Sequence, residues 1–187
     1  MHPTRCLRDE HQVILRVLNF FADALDDATE ANRVTRERFG PFVEFFQGFA
    51  DRCHHCKEED RLFPTLERCG IPREGGPIGV MLHEHQLARE HVRAIAEHLA
   101  AADAGDATAV ETVLGHGRDY LDLLRAHISK EDRVLFEMAD SMVQGEELRN
   151  LDQAYEQARS EGPYCATLSR CMGIVDDLAR GQPHRPT

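Results

Sequence analysis

The chain has 187 residues, 42% hydrophobic and 29% charged, the balance of one globular domain and not of a disordered or fibrous chain. Twenty-two Lys and Arg against 33 Asp and Glu leave a formal net charge of −11, the wrong sign for a partner of nucleic acid or of an anionic membrane surface. No apolar run is long enough to cross a bilayer, and Met1-His2-Pro3-Thr4-Arg5 lacks the apolar stretch of a secretory signal. Six cysteines in a chain able to bury a core suit a reducing compartment, so a cytoplasmic protein is expected. The unusual count is eleven histidines.

Pro3-Thr4 open a helix expected to run to about Asp27, with Leu7, Ile14, Leu15, Leu18, Phe21, Ala22 and Leu25 at helical spacing. A polar stretch from Ala28 to Arg38 and then Gly40-Pro41 lead into a second periodic segment, Phe42 to about Glu67. It is expected to break before Pro64, because proline disfavours helix in the residue preceding it. The stretch from Cys69 to Pro77 is the clearest loop in the chain. A third helix is expected from Pro77 to about Asp103, and a fourth from about Thr108 to Met142. Two shorter helical stretches follow, roughly Glu146–Ser160 and Tyr164–Arg180, then a polar tail from Gly181. The reading is all-α: an up-down-up-down four-helix bundle over residues 1–142, with a helical extension over 143–187 packed on it.

An internal repeat carries more information than the periodicity. His54-His55-Cys56-Lys57-Glu58-Glu59-Asp60-Arg61-Leu62-Phe63 resembles His127-Ile128-Ser129-Lys130-Glu131-Asp132-Arg133-Val134-Leu135-Phe136 at an offset of 73 residues. Glu10-His11-Gln12 matches Glu84-His85-Gln86 at an offset of 74. Helices 1–2 and 3–4 are therefore related halves of one domain, since neither half buries its apolar face alone.

His54 and Glu58 are four apart, as are His127 and Glu131, so each pair projects from one helix face. Counting residues from the helix ends at ~1.5 Å each brings His11, His54, His85 and His127 to nearly one height. Antiparallel packing then gathers four imidazoles and two carboxylates at one point inside the bundle. Burying Glu58 and Glu131 there without cations would cost several kcal/mol per ion, on the order of the effective desolvation penalty. Imidazole with carboxylate suits transition metals, and four His with two Glu shared by two ions leave positions open for water or a small ligand. Two iron ions are favoured, with zinc or manganese as other occupants. On this reading the metal residues are His11, His54, Glu58, His85, His127 and Glu131.

At these residues the sequence resembles the hemerythrin-like (HHE cation-binding) domains, over roughly residues 4–140. The likeness rests on Glu10-His11, on His54-x-x-x-Glu58-Glu59 before Leu62-Phe63-Pro64, on Glu84-His85, and on His127-x-x-x-Glu131-Asp132 before Leu135-Phe136. The resemblance implies a four-helix bundle around a non-haem di-iron centre bridged by the two glutamates. Family members include oxygen carriers, oxygen or iron sensors, peroxide-degrading proteins and iron–sulfur repair proteins. The oxygen carriers place a His-x-x-x-His pair on helix 3, where this chain has Arg89 four residues after His85. With one fewer histidine, the site resembles the symmetric sensor and repair branches more than the carriers. The carriers' fourth-helix pair, His-x-x-x-x-Asp, is matched by His127 and Asp132, but Glu131 repeats Glu58 in the internal alignment and is preferred.

The remaining chemistry-bearing residues read more plainly. His55 and His83 stand one or two positions from a ligand and are expected to be solvated or at the rim, so their replacement should leave metal loading intact. His116 shares a helical face with His127 and is a candidate for the far side of the site; His91 and His98 stand apart. Cys53-His54-His55-Cys56 lies inside a helix with no second cysteine pair, so a zinc finger is excluded and the two thiols read as small core residues. Cys165 and Cys171 receive no function. Tyr120, seven residues before His127, is expected on the inward face, and Glu59, Asp132 and Arg89 are candidates to support the ligands. The expected partners are small oxygen or nitrogen species, with a homodimer contact or a protein reductant as further candidates. Redox handling such as peroxide breakdown or iron–sulfur repair leads; an iron or oxygen sensor working through partner proteins, and a zinc-stabilised structural module, are the alternatives.

Overall fold

Leu7, His11, Ile14, Val17, Leu18, Phe21, Ala24, Leu25 and Ala28 form one buried stripe along the first helix, α1 (Arg5–Ala31). The computed structural model describes residues 2–160 and 162–181, with the backbone alone at 158–160 and 162–166. The helix passes Asp27 by one turn and ends where Asn32 adopts a left-handed φ of 47°. There Arg33 N–H reaches back to the Ala28 carbonyl at 2.9 Å, satisfying a carbonyl that the helix end leaves open.

The second helix, α2, spans 36–68 and starts when the Thr35 hydroxyl accepts from the Arg38 N–H at 3.3 Å. It runs straight through the proline at which a break was expected. The turn before Pro64, Glu58–Leu62, is wound as a π-helix, and α-helical residues Phe63–Arg68 follow. A wider turn takes the pyrrolidine ring without the clash it would make with the carbonyl four residues back in an α-turn. Helix α3 (Pro77–Asp103) has the limits read from the sequence, with Pro77 in its first turn. Helix α4 spans 107–142 and contains a second π turn at Glu131–Leu135. Two further helices, α5 (Gly145–Ser160) and α6 (Gly162–Ala179), complete the described chain, which contains no strand. None of the described helices is long and apolar enough to cross a membrane.

Helices α1 to α4 pack as a bundle whose interior is two apolar clusters separated by a polar layer. The larger cluster holds Ile14 to Ala28 of α1, Phe39 to Ala50 of α2, Ala88 to Ala102 of α3 and Ala109 to Ile128 of α4. The smaller holds Leu7, Leu62, Phe63, Leu66, Met81, Leu135 and Phe136. Helix α6 adds Cys171, Ile174 and Val175 to the first, and α5 adds Leu151 and Tyr155 to the second, so the extension is continuous with both. The polar tail beyond residue 181 lies outside the described residues.

Asp106 caps α4, its carboxylate accepting from the Ala109 N–H at 2.8 Å. Replacement Asp106→Ala is expected to cost about 1 kcal/mol of unfolding free energy, and Asp106→Asn much less, both read from urea denaturation.

Candidate metal centre

The winding of α2 sets the composition of the polar layer. Residues Phe46–His55 and Glu58–Leu62 are π-helical, so each advances less than the roughly 100° per residue of an α-helix. Two neighbours in sequence, His54 and His55, both point inward and are 1% and 2% exposed. This corrects the expectation that His55 is solvated. In α4 the corresponding stretch is α-helical, and Ile128 stands where the repeat would place a second histidine. The two shorter π turns do obey the repeat: one begins at Glu58 and the other at Glu131.

All six residues read from the sequence converge, joined by His55. His11, His54, Glu58 and Glu131 form one group; His55, Glu58, His85 and His127 form another, each with donor atoms within 4.8 Å of one another. Glu58 lies between His54 Nε2, at 3.5 Å, and His85 Nε2, at 3.4 Å. Glu131 lies between His11 Nε2, at 3.2 Å, and His127 Nε2, at 3.3 Å. Each carboxylate thus touches an imidazole of both groups, the position of a bridge. His85 and His127 approach Nε2 to Nε2 at 3.1 Å. His55 stacks on His85 with ring centroids 3.9 Å apart.

An outer ring of carboxylates turns the imidazoles. His11 Nδ1 meets Asp132 at 2.9 Å, His54 Nδ1 meets Glu10 at 3.0 Å, His85 Nδ1 meets Glu59 at 2.7 Å, and His127 Nδ1 meets Glu84 at 2.9 Å. With Nδ1 protonated toward these oxygens, each neutral imidazole turns its Nε2 lone pair toward the centre. Each carboxylate has a base beside it: Lys57 on Glu10, Lys130 on Glu84, Arg89 Nη2 on Glu59 at 2.7 Å, and Arg8 Nη1 3.6 Å from Asp132. The pattern follows the repeat closely, down to the rings that flank the layer: Phe136 stacks on His11 and Phe63 on His85. Asp132 therefore serves His11 from outside, and Glu131 occupies the inner position.

Electrostatics make the layer costly on its own. Burial and then the neighbouring Glu131 charge push the Glu58 carboxyl well above the usual range. Burial would also raise Glu131, but His127 and His11 outweigh it and hold that carboxyl well below. Burial lowers His54 and His55 to about 3, whereas Glu131 overcomes burial and lifts His127 to about 9. His11 Nε2, His54 Nε2, both His55 nitrogens and all four oxygens of Glu58 and Glu131 have no hydrogen-bond partner. Orphaned buried polar atoms are rare in folded proteins, and a donor set of imidazole nitrogen and carboxylate oxygen fits transition-metal cations.

The other expectations resolve as follows. His83 and His98 are exposed, and His116 pairs with His91 instead of reaching the layer. In place of a second α3 histidine, Arg89 binds Asp51 and Glu59 at 2.7 Å each and stands outside the layer. The fifth imidazole comes from α2. Burial lifts the Cys53 and Cys171 thiols to about 11 and about 12, so both stay protonated; the side chain of Cys165 lies outside the described residues. A cavity of about 260 Å³ lies over the layer, lined by His55, Tyr120, Phe46, Asp51 and Arg89 among others. Sequence reasoning passed over Glu10 and Glu84 as supports, although each directly precedes a matching histidine in the repeat.

Two substitutions separate inner from outer residues. His55→Ala is expected to lower metal content, measured by elemental analysis, while His83→Ala leaves it unchanged. Glu84→Gln or Asp132→Asn should weaken metal affinity by roughly 10–100-fold, since each removes the partner that fixes a ligand's tautomer.

Comparison with known proteins agrees with this geometry. Uncharacterized proteins of Mycobacterium tuberculosis and Mycobacterium bovis are 23% identical over 180 residues, covering 91% of this chain and 70% of theirs. No solved structure matches the chain. The hemerythrin HHE cation-binding domain matches residues 2–139, which contain the whole polar layer and its outer ring. The chain belongs to the hemerythrin HHE cation-binding family.

Proposed function

We propose that the protein holds two iron ions and uses them on small oxygen or nitrogen species, in redox or stress handling such as peroxide breakdown or iron–sulfur repair. The carrying observation is the set of five imidazoles and two bridge-positioned carboxylates whose inner atoms lack partners between two apolar clusters. A structural zinc site is closed by four ligands in a tetrahedron, and seven donors in two groups sharing Glu58 exceed that need. When bound, a pair of irons supplies electrons and open coordination positions for a small ligand.

The chain's own groups would shape what happens there. Glu58 and Glu131 would hold both ions, and the histidines would divide between them, with His55 adding a third nitrogen on one side. That asymmetry would leave the other ion with more open positions, as a binding site for one small ligand requires. Phe63, Phe136, Leu62 and Leu135 exclude water from one side of the layer. On the cavity side, burial and the Asp51 charge hold the Tyr120 hydroxyl well above its usual range. It therefore remains a proton donor at neutral pH, lining the same cavity as His55.

The protein purified with iron is expected to carry two irons per chain and a charge-transfer absorption in the near ultraviolet. One zinc per chain without that absorption would overturn the reading. Turnover of peroxide by the iron form supports an enzyme; ligand binding without turnover supports a sensor. Tyr120→Phe should slow turnover with metal content unchanged. Loading also has a pH signature. At pH 7 the metal-free layer keeps a proton on His127, near 9, which a cation must displace. Proton release on loading and an affinity that climbs as pH rises toward 9 are expected, followed by potentiometric titration. Removing the metal should lower the melting temperature while most helical circular dichroism persists at room temperature, because the apolar stripes remain.

A further inference from the structure

Among the described residues, one other cluster of ligating side chains, outside the buried layer, joins two bundle helices. His91 on α3 and His116 on α4 face each other with Nδ1 atoms 2.9 Å apart. Asp119, one turn beyond His116 on α4, brings a carboxylate oxygen to the same point, and the three donor atoms lie within 4.8 Å of one another. The two imidazoles are half-buried and the carboxylate is exposed, so the point is open to solvent on one side.

We propose that His91, His116 and Asp119 form a second metal site, which takes one borderline divalent transition cation of the zinc and copper class. Three arguments support it. The first is geometry. At ~2.0–2.1 Å per metal–nitrogen bond and a tetrahedral angle, two ligating nitrogens stand about 3.3 Å apart. The present 2.9 Å therefore needs an opening of only a few tenths of an ångström, within the reach of half-exposed side chains. The second is donor chemistry. Two imidazoles with one carboxylate suit Zn²⁺ or Cu²⁺ and do not offer the six or more oxygens that Ca²⁺ takes or the oxygen octahedron of Mg²⁺. A solvent-facing fourth position is left for water. The third is charge. A chain of net charge −11 attracts cations, and the charges of Asp119 and Glu90 act directly on His91.

The site shares no residue with the buried layer. His116 lies eleven residues before His127 on α4, about 16 Å along the axis at ~1.5 Å per residue. A cation there would tie α3 to α4, the two helices that carry His85, His127 and Glu131. It would act as a clip on that half of the repeat, with no counterpart in the other half, where Val43 holds the position 73 residues before His116.

The test is Zn²⁺ binding to the iron-loaded full chain by equilibrium dialysis, with zinc and iron counted in the same samples. Wild type is expected to bind one more Zn²⁺ per chain than His116→Ala, and Asp119→Asn to weaken that binding at least tenfold. His98→Ala, an exposed histidine of α3 outside the cluster, should match wild type. Zn²⁺ should also raise the melting temperature of wild type more than that of Asp119→Asn, a near-isosteric surface change that leaves the fold intact. Millimolar Mg²⁺ should not compete. Equal zinc content in wild type and His116→Ala, or a zinc-dependent melting increment unaffected by Asp119→Asn, overturns the proposal. Because the comparison is a difference between variants, it reads this site whatever metal fills the buried layer.

Discussion

Seven ionisable side chains share one layer of a helical core, with hydrocarbon above and below them. Uncompensated, the layer is untenable: two carboxylates face each other, five imidazoles crowd around them, and eight of their polar atoms find no partner. Much of the surrounding structure answers that tension. The outer carboxylates fix the imidazoles so that their lone pairs point inward, the stacked phenylalanines seal one side, and basic side chains on the rim pair with the outer carboxylates. Bound cations would turn the same repulsion into binding, coupling the stability of the fold to the occupancy of the site.

The repeat explains how such a layer is specified by a short sequence. Each half supplies an acid–histidine pair from its first helix and a His-x-x-x-Glu-acid run from its second. The acid of the first pair orients the histidine of its own half's second helix: Glu10 holds His54, and Glu84 holds His127. Across the halves, Asp132 holds His11, while Glu59 holds His85. The inner glutamates cross between halves as well, Glu58 reaching His85 and Glu131 reaching His11. Neither half can assemble its imidazoles in the right tautomer without the other. Function departs from symmetry at one position, where His55 faces the cavity and its counterpart is Ile128.

Much of this was legible from residue order. Helix α3 was found to its ends because Pro77 suits a first turn and the apolar spacing is that of an α-helix throughout. The six inner residues followed from motif spacing and matched heights. His55 was not legible, because a histidine directly beside a ligand is ordinarily turned away from it, whereas here both neighbours are buried. Pro64 misled because the turn before it is a π turn. The clue to His55 lay in the repeat itself: a histidine where the other half has isoleucine is a polar residue at a core position, which asks for a reason. The outer carboxylates Glu10 and Glu84 were equally visible at matching offsets, but a charged residue on an amphipathic helix is ordinarily a solvated one.

The bases that accompany the outer carboxylates have a consequence for the kind of molecule drawn to the centre. Lys57, Lys130, Arg89 and Arg8 each stand beside an outer carboxylate, so within the layer Glu58 and Glu131 are the carboxylates that directly oppose the charge of bound cations. Two divalent ions would leave the layer with a surplus of two positive charges, and each electron removed would add one more. In a low-dielectric interior such a surplus favours a ligand that arrives as an anion or becomes one by accepting electrons, over a ligand that stays neutral. With two such cations bound, an overall acidic protein would hold at its middle an electrophilic spot whose appetite for negative charge would grow on oxidation.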